Sequence, residues 1–345
     1  DLIRGGKPMS KKLEIKQIAE ELALSSTTVS RALSGKGRVS DATRQRVQEY
    51  IKANNAAPAV RRRPYTARKT RNILVTVAGE RNYGLLPYFS QVIMGAYDFF
   101  QPLGYQVLVA KTSEDDIEPL KKVIKQHKCD GVILSRTLDN ALDIRFLQEK
   151  GVPFVTIGSY DDNTLYQIDV DQRGGCKELT MRLLQQGVRN IALFCANRTH
   201  VVTQSRWRGF LQAYEVLGLD FDKSFLFEET GYADVAERCT EQMLKAGAEC
   251  IVCMDDNICL NVLNALRKFE VRIPEDILVA SFYNSSVLEE YYPPISCVNL
   301  DIQALARTAS GVLYDLLQGK EAKKRILQGY EVLIKDSTNR DKMRK

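Results

Sequence analysis

A short segment near residue 30 carries hydroxyl and guanidinium side chains at helical spacing. Val29 and Leu33 recur four residues apart, which is the spacing of one buried helix face. Thr27 and Arg31 then stand one turn apart on the opposite face. Two serines flank them: Ser26 and Ser30. Hydroxyl and guanidinium groups suit phosphate oxygens and base edges, so this face could bind duplex DNA. An ordinary surface helix, whose hydroxyls only cap and solvate it, is the alternative.

Three helical patterns before residue 55 would position this face. In the first, Ile15, Ile18 and Leu22 recur at three- and four-residue spacing. The second begins at Ser25, a good N-cap residue, and the third begins after Ser40. Because the connections are only a few residues long, the three helices can close one small core as a helix-turn-helix. Such patterns also arise by chance, so periodicity alone leaves both interpretations of the face open.

The distribution of charge favours the DNA interpretation. The formal net charge is +6, but residues 1–71 alone carry 17 Lys or Arg against 6 Asp or Glu. The remaining 274 residues carry 32 against 37. A strongly basic N-terminal fifth joined to a slightly acidic body is typical of a polyanion-binding module attached to a domain that does not bind DNA.

Changes in composition and in hydrophobic periodicity along the chain predict five segments. We expect an extra N-terminal segment over 1–8, a helix-turn-helix domain over 9–55, a basic linker over 56–71, a body over 72–335 and a basic tail over 336–345. In the body, short apolar runs alternate with segments of helical period, which predicts parallel sheets with helices on both faces. Its length predicts two doubly wound α/β subdomains across a cleft, with a ligand beyond the carboxyl ends of the strands.

Composition and motifs argue against a membrane protein and against metal or cofactor chemistry. No apolar run approaches the roughly 20 residues that cross a bilayer, and residues 1–8 are too few and too polar for a secretory signal, so we expect a cytoplasmic protein. Cys250 and Cys253 form a Cys-x-x-Cys pair, but they lie in an apolar run and the chain has only two histidines. We interpret them as reduced core residues and expect no metal and no cofactor.

The headpiece sequence resembles that of the lactose-repressor and galactose-repressor (LacI/GalR) family. Thr-Val-Ser-Arg over residues 28–31 is followed by Val39-Ser40 and Thr43-Arg44 at family spacing. Similar segments continue along the body: Pro87-Tyr88-Phe89, Arg206-x-x-Gly209-Phe210, Ile273 to Asp276 and Pro293 to Val298. The resemblance implies a repressor-type transcription factor without enzymatic activity, whose body is similar to periplasmic binding proteins. A small effector between the subdomains would change operator affinity.

The resemblance also implies roles for individual residues. In the family, the two residues before Thr-Val-Ser-Arg set operator preference, which points to Ser26 and Thr27, while Arg31 reads a base. Positions that usually hold phosphates are occupied by Ser25, Thr28, Ser30, Arg38 and Ser40. A homodimer that reads a near-palindromic operator follows by analogy. The regulated genes would form a carbohydrate operon or a related metabolic one.

The linker departs from the family pattern. Family members form a hinge helix here, but this chain has Arg62 and Tyr65 in place of the family's Ala and Leu. Pro64 falls where that helix would continue, and an interior proline costs a helix about 3 kcal/mol. We predict instead an extended arm whose arginines follow phosphates or enter the minor groove: Arg61, Arg62 and Arg63. A merely solvated linker is the alternative.

Six side chains match positions at which family members hold effectors. They are Tyr88, Phe89, Arg206, Tyr232, Asp255 and Tyr283. An arginine and a carboxylate beside aromatic rings suit a sugar or a sugar derivative. The family's ligand-gripping Asp is Tyr283 here, so a different or more apolar effector stays open. Core packing of the aromatic rings and a structural ion pair of Arg206 are the alternatives.

Two other classes of protein compete with a regulator. A solute-binding protein of the same body fold would need export and no DNA-binding headpiece. An α/β enzyme would be expected to carry a glycine-rich phosphate loop or a nucleophile elbow, and the sequence has neither motif. Neither alternative explains the basic N-terminal fifth.

Overall fold

The computed structural model describes residues 13–34, 39–53, 58–59, 69–79, 87–195 and 197–339. The chain divides into two units, Asp1–Pro64 and Tyr65–Lys345. Four of the predicted DNA contacts lie outside the described residues: Arg38, Arg61, Arg62 and Arg63. The predicted extra segment over 1–8 lies outside them as well.

Helices dominate the N-terminal unit. They are α1 (Ile15–Glu21), α2 (Ser26–Ser34) and α3 (Asp41–Ala53). The backbone N–H of Thr28 donates to Ser25 Oγ at 3.0 Å, and that of Thr43 donates to Ser40 Oγ at 3.3 Å. The two serines therefore cap α2 and α3; the cap by Ser25 was predicted from the sequence, as was the start of the third helix after Ser40. The small apolar core that joins the helices consists of Ile18, Ala19, Val29, Ala32 and Val47.

The two described ends of the predicted linker are tied to the protein. β1 (Leu13–Glu14) pairs in parallel with β2 (Pro58–Ala59). Strand pairing uses backbone groups, which is why no apolar pattern announced it. At the other end, the N–H groups of Thr70 and Arg71 donate to the Asp130 carboxylate at 2.7 and 2.9 Å.

The first subdomain of the body is built on a parallel sheet. Its strands, in spatial order, are β13 (Arg325–Gln328), β7 (Gln167–Val170), β6 (Phe154–Ile157), β5 (Gly131–Leu134), β3 (Asn72–Ala78) and β4 (Gln106–Thr112). The helices of this subdomain are α4 (Pro87–Phe100), α5 (Glu118–Lys125), α6 (Leu142–Lys150) and α12 (Ile302–Leu317). Ile73 of β3 packs in the core with α4, whereas Leu74 packs in the core with α5 and α6. Both faces of the sheet are covered, which explains the continuous apolar runs.

The second subdomain repeats this layout. Its strands, in spatial order, are β14 (Glu331–Leu333), β12 (Ser296–Asn299), β11 (Leu278–Ser281), β10 (Cys250–Cys253), β8 (Ile191–Phe194) and β9 (Leu226–Phe227). They pair in parallel, except that β14 is antiparallel to β12. The helices are α7 (Gln172–Gln185), α8 (Val201–Val216), α9 (Ala233–Lys245), α10 (Asp256–Lys268) and α11 (Ser286–Glu289). The prediction of two doubly wound subdomains is confirmed, with β14 as the exception to parallel pairing.

The described chain passes between the subdomains after β7, after β12 and after β13. α7, which follows β7 of the first subdomain, packs against α8 of the second. α12, which follows β12 of the second subdomain, packs against α4 of the first. Neither subdomain is therefore a continuous piece of sequence.

The body extends past the boundary predicted at residue 335. Residues Asp336–Thr338 form one 3-10 turn in which Ser337 and Thr338 are fully buried. The Ser296 N–H donates to Ser337 Oγ at 2.8 Å, and Ser337 Oγ donates to the Val279 carbonyl at 2.6 Å. The predicted boundary is wrong for these residues because hydroxyl groups, rather than apolar side chains, anchor the turn to the sheet.

The Arg-x-x-Gly-Phe spacing has a packing reason. α7 and α8 approach closely at Gly209, where a Cβ atom would lie 2.3 Å from the Arg173 carbonyl oxygen. Phe210 is fully buried beside Gly209. Together these two residues seat α8 on α7, and they thereby fix the direction of Arg206, which lies one turn earlier.

Candidate DNA-contact face and effector cleft

The predicted DNA-contact face of α2 is exposed. Ser26, Thr27, Ser30 and Arg31 all lie on the surface of the N-terminal unit, whereas Val29 on the opposite face is fully buried. The hydroxyl groups of α2 and the Arg31 guanidinium are therefore accessible from one side of the unit. This is the arrangement that phosphate and base-edge contacts need.

Three of the predicted phosphate contacts lie at the starts of α2 and α3: Ser25, Thr28 and Ser40. The hydroxyls of Ser25 and Thr28 are 2.8 Å apart, and those of Ser40 and Thr43 are also 2.8 Å apart. Helix N-termini present backbone N–H groups and a partial positive charge, both of which favour phosphate oxygens. The two caps thus present groups that suit the phosphate oxygens of an anionic backbone.

A cleft of about 1040 Å³, including its open mouth, lies between the two subdomains of the body. The residues that follow the carboxyl ends of strands from both sheets line it, for example Ser135 after β5 and Met254 after β10. Five of the six predicted effector contacts line the cleft: Tyr88, Phe89, Arg206, Asp255 and Tyr283. Tyr232 does not line the cleft; this residue directly precedes α9 and is 53% exposed.

Arg206 is held in a fixed orientation at the cleft wall. Its Nε donates to Gln172 Oε1 at 3.0 Å, and its Nη1 donates to the Met254 carbonyl. The guanidinium carbon lies 5.9 Å from the centre of the Tyr283 ring, within range of a cation–π interaction. The residue is only 8% exposed, so its charge acts in a poorly solvated environment.

Carboxylates surround this guanidinium. Asp255 caps α10, where its Oδ1 accepts from the Ile258 N–H at 2.8 Å. Burial raises the pKa of Asp255 to about 6, the neighbouring Asp256 adds to the rise, and Arg206 opposes it. Burial likewise raises the pKa of Asp169 and of Asp256, and in both cases Arg206 acts in the opposite direction.

Aromatic rings form the apolar side of the cleft. The Tyr88 hydroxyl donates to the Ser135 carbonyl at 2.7 Å, and its ring lies edge-on to Phe89 and Tyr283, with centroids 5.1 and 6.3 Å away. Burial raises the pKa of both tyrosines above the ordinary 10, so both phenols stay protonated. The buried Tyr283 hydroxyl has no hydrogen-bond partner among the described residues.

A set of hydrogen bonds joins the subdomains beside the cleft; we call it the lip contact, between residues 137–139 and 199–204. Leu138 and His200 form an antiparallel bridge. The Asp139 N–H donates to the Thr199 carbonyl at 3.0 Å, and Gln204 Nε2 donates to Asp139 Oδ2 at 2.8 Å. Since His200 also lines the cavity, the lip contact bounds the space that a ligand would occupy.

Sequence reasoning missed two acidic residues of the cleft. Asp169 lies in β7, whose Gln-Ile-Asp-Val sequence has no apolar run to mark it as a strand. Asp256 follows Asp255 directly in the sequence, so this pair of adjacent carboxylates could have been recognised from the sequence alone. Gln172, which orients Arg206, comes from the crossover after β7 and could be found only with the topology in hand.

Metal binding and membrane insertion can be checked against the described part of the chain. Its His, Cys, Asp and Glu side chains form no group suited to a metal ion. Cys250 and Cys253 are fully buried in β10, in agreement with the prediction of core residues. Within the same residues, no helix combines the length and apolar character that crossing a bilayer requires.

Comparison with known proteins matches both parts of this architecture. Residues 14–58 match bacterial regulatory proteins of the lacI family, and residues 180–338 match a periplasmic binding protein-like domain. The chain is 28% identical to the HTH-type transcriptional regulator CelR of Thermobifida fusca, over 85% of this chain and 88% of that protein. It is 26% identical to the HTH-type transcriptional regulator DegA of Bacillus subtilis, over 95% of this chain and 98% of that protein.

A solved structure agrees with the fold. The structure of a transcriptional regulator CelR–cellobiose complex matches with a TM-score of 0.72 at 24% identity, covering 96% of this chain and all of that one. A helix-turn-helix unit joined to a two-subdomain body with a cleft defines a ligand-responsive DNA-binding transcriptional regulator, a class of protein without enzymatic activity. The chain thus resembles lacI-family regulators in its N-terminal unit and a periplasmic binding protein-like domain in its body, and the relatives it matches along most of its length are HTH-type transcriptional regulators.

Proposed function

We propose that this chain is a homodimeric, carbohydrate-responsive repressor that binds a near-palindromic operator in the cytoplasm. The observation that carries the proposal is the composition of the cleft, where the Arg206 guanidinium and the Asp255 carboxylate lie beside the rings of Tyr88 and Tyr283. Charged groups bind sugar hydroxyls, and aromatic rings cover the apolar face of a sugar. The cellobiose bound to CelR supports the same class of effector.

On the DNA side, we assign base reading to the exposed face of α2. Ser26 and Thr27 would set operator preference, and Arg31 would contact a base edge. The remaining assignments are phosphate contacts by Ser25, Thr28, Ser30, Arg38 and Ser40, and contacts of an extended arm by Arg61, Arg62 and Arg63. Phosphate contacts position the unit, whereas the α2 face supplies the sequence discrimination.

On the effector side, we assign the five residues that line the cleft: Tyr88, Phe89, Arg206, Asp255 and Tyr283. Tyr232 lies outside the cleft and receives no effector contact in this proposal. A ligand that fits one angle between the subdomains better than another shifts the equilibrium between the two arrangements. Operator affinity would change with that equilibrium.

The homodimer follows from the operator and from the body surface. Helix-turn-helix units that read near-palindromes do so in pairs, one for each half-site. Met94 and Tyr97, one turn apart on α4, are 49% and 44% exposed. Large apolar side chains exposed side by side favour an interface between copies of the chain.

The proposal is tested by operator selection followed by effector titration. The full-length protein should enrich sequences with dyad symmetry from a random duplex library. A panel of sugars is then added to the complex, and at least one should change operator affinity about tenfold or more in fluorescence anisotropy. A library without enriched sequences would overturn the DNA part of the proposal.

Two variants connect this response to the cleft. Arg206→Ala should abolish the sugar response while operator affinity without sugar persists, because the guanidinium contacts the ligand and not the DNA. Tyr232→Ala is the matched control outside the cleft and should respond as the unmodified protein does. If Arg206→Ala binds the sugar with unchanged affinity in calorimetry, the effector site lies elsewhere.

A further inference from the structure

More carboxylate than guanidinium side chains line the cleft. Asp169, Asp255 and Asp256 all line it, and the charge of Arg206 acts on each of them. Among the described residues, no salt bridge joins Arg206 to any of the three; its hydrogen bonds go to Gln172 and to the Met254 carbonyl. One guanidinium thus compensates three carboxylates at a distance.

The second guanidinium at the cleft wall is committed elsewhere. Arg136 Nη2 donates to the Thr112 carbonyl at 2.5 Å. Burial raises the pKa of Asp143, a carboxyl group that does not line the cleft, and the charge of Arg136 opposes this rise. Arg136 therefore acts on a fourth carboxyl group, which lies outside the cleft.

A buried phenol adds a requirement for hydrogen bonding. Tyr283 is 3% exposed and lines the cleft, and its hydroxyl lacks a partner among the residues the structure describes. A buried hydroxyl without a partner is destabilising, so a bound molecule that supplies a partner is favoured. The charges of Asp255 and Asp256 also act on this phenol, which shows that the carboxylates and the phenol belong to one site.

The chemistry of these groups selects the ligand. A protonated phenol donates, whereas an ionised carboxylate only accepts. An alcohol can accept from Tyr283 and donate to Asp255, whose helix-cap bonds leave lone pairs unused. An ammonium group could donate to the phenol oxygen and to Asp255, but it would leave the phenol hydrogen without an acceptor. A phosphate or carboxylate group can accept, but its charge would lie among three buried carboxylates.

We infer that Tyr283 and Asp255 together bind one hydroxyl of an uncharged polyhydroxylated effector, and that the cleft rejects phosphorylated and acidic analogues of the same molecule. This inference rests on the proposed function and narrows its effector class. It makes Tyr283 a specificity-determining residue rather than a core residue.

The test compares matched pairs of sugars by isothermal titration calorimetry on the full-length protein. Each pair shares a carbon skeleton: cellobiose with cellobionate, glucose with glucose 6-phosphate, and galactose with galacturonate. We expect the binding member of a pair to be the neutral one, at least about 100-fold tighter than its anionic partner. A phosphorylated or acidic sugar that binds as tightly as its neutral partner would overturn the inference.

Two conservative variants assign the effect to residues. Tyr283→Phe keeps the ring and removes the hydroxyl, so affinity for the neutral sugar should fall about tenfold. Asp255→Asn keeps the helix cap and removes a charge, so it should narrow the difference between the neutral and the anionic sugar about tenfold. Cooperative thermal unfolding, at a melting temperature no lower than that of the unmodified protein, establishes that both variants fold. An unchanged preference in Asp255→Asn would contradict the inference.

The outcomes separate this inference from the proposed function. If an anionic sugar binds and changes operator affinity, the protein is still a carbohydrate-responsive regulator and only the inference fails. If operator affinity responds to no sugar of either kind, the carbohydrate class fails and the inference fails with it.

Discussion

The side-chain amide of Gln204, on α8 of the second subdomain, donates a 2.8 Å hydrogen bond to the carboxylate of Asp139 in the first subdomain. The bond belongs to the lip contact and joins two pieces of chain 65 residues apart. Any opening of the cleft on this side must break it. Its strength therefore bears on how fast a ligand enters and leaves.

Gln204→Ala should speed effector dissociation roughly three- to tenfold, since one net hydrogen bond is worth about 0.5 to 1.5 kcal/mol. Stopped-flow fluorescence of Trp207, the only tryptophan of the chain, can follow the exchange. Gln212→Ala is the matched control, because its amide accepts from Arg173 Nε within the second subdomain. Equal rates in the two variants would show that the lip contact does not gate the cleft.

Arg31→Ala should weaken specific operator binding by about 1 to 3 kcal/mol and relax the preference at one operator position. The reason is the loss of a contact to a base edge. Ser30→Ala provides the contrast: a lost phosphate contact should weaken specific and random duplex alike. Binding curves on the selected operator, on its single-position variants and on random duplex give the comparison. An equal loss for Arg31→Ala on all of them would contradict base reading.

Replacing Arg61, Arg62 and Arg63 together by alanine should reduce the salt dependence of operator binding. Each phosphate contact contributes about 0.9 to the slope of log affinity against log salt, so the slope should fall by up to about 3. Replacing three exposed lysines of the body, Lys320, Lys323 and Lys324, controls for the change in net charge. An unchanged slope in the arginine variant would favour a merely solvated linker.

The stability of the protein should decrease as pH rises from about 4 to about 6, relative to Asp255→Asn. Burial raises the pKa of Asp255 to about 6 in the folded chain, so the folded state keeps a proton that the unfolded chain releases at lower pH. The difference amounts to about 3 kcal/mol in favour of the variant above this window. Asparagine preserves the cap of α10. Chemical unfolding of both proteins at several pH values measures the difference in their free energies of unfolding. Parallel pH profiles of the two proteins would refute the prediction.

Gly209→Ala should destabilise the body by about 1 to 3 kcal/mol, because the added Cβ would lie 2.3 Å from the Arg173 carbonyl oxygen and would force α7 and α8 apart. Gly311→Ala in α12 is the control. Its Cβ would meet only Phe99, at 3.7 Å, and alanine favours a helix by about 1 kcal/mol, so that variant should be stabilised. Thermal unfolding compares the two.

The headpiece and the central strands were predicted most completely from the sequence, because interactions between nearby residues determine them. The caps by Ser25 and Ser40 and the burial of Val29 opposite Arg31 depend on residues within one or two helical turns. Likewise β3, β5, β8, β10 and β11 consist mainly of apolar residues, as expected for strands whose two faces are both covered.

Long-range contacts decided the rest. The strands β7, β12, β13 and β14 are short or polar at sheet edges and crossovers, so their pairing depends on backbone partners far away in sequence. Asp169 lines the cleft because β7 carries it there. Tyr232 lies outside the cleft because the packing of α9 sets the direction of the Tyr232 side chain. The sequence by itself determined a basic helix-turn-helix and an α/β body, because turn-to-turn spacing and apolar runs are local. Only the tertiary structure decided which acids surround Arg206, because three crossovers bring them together from separate segments.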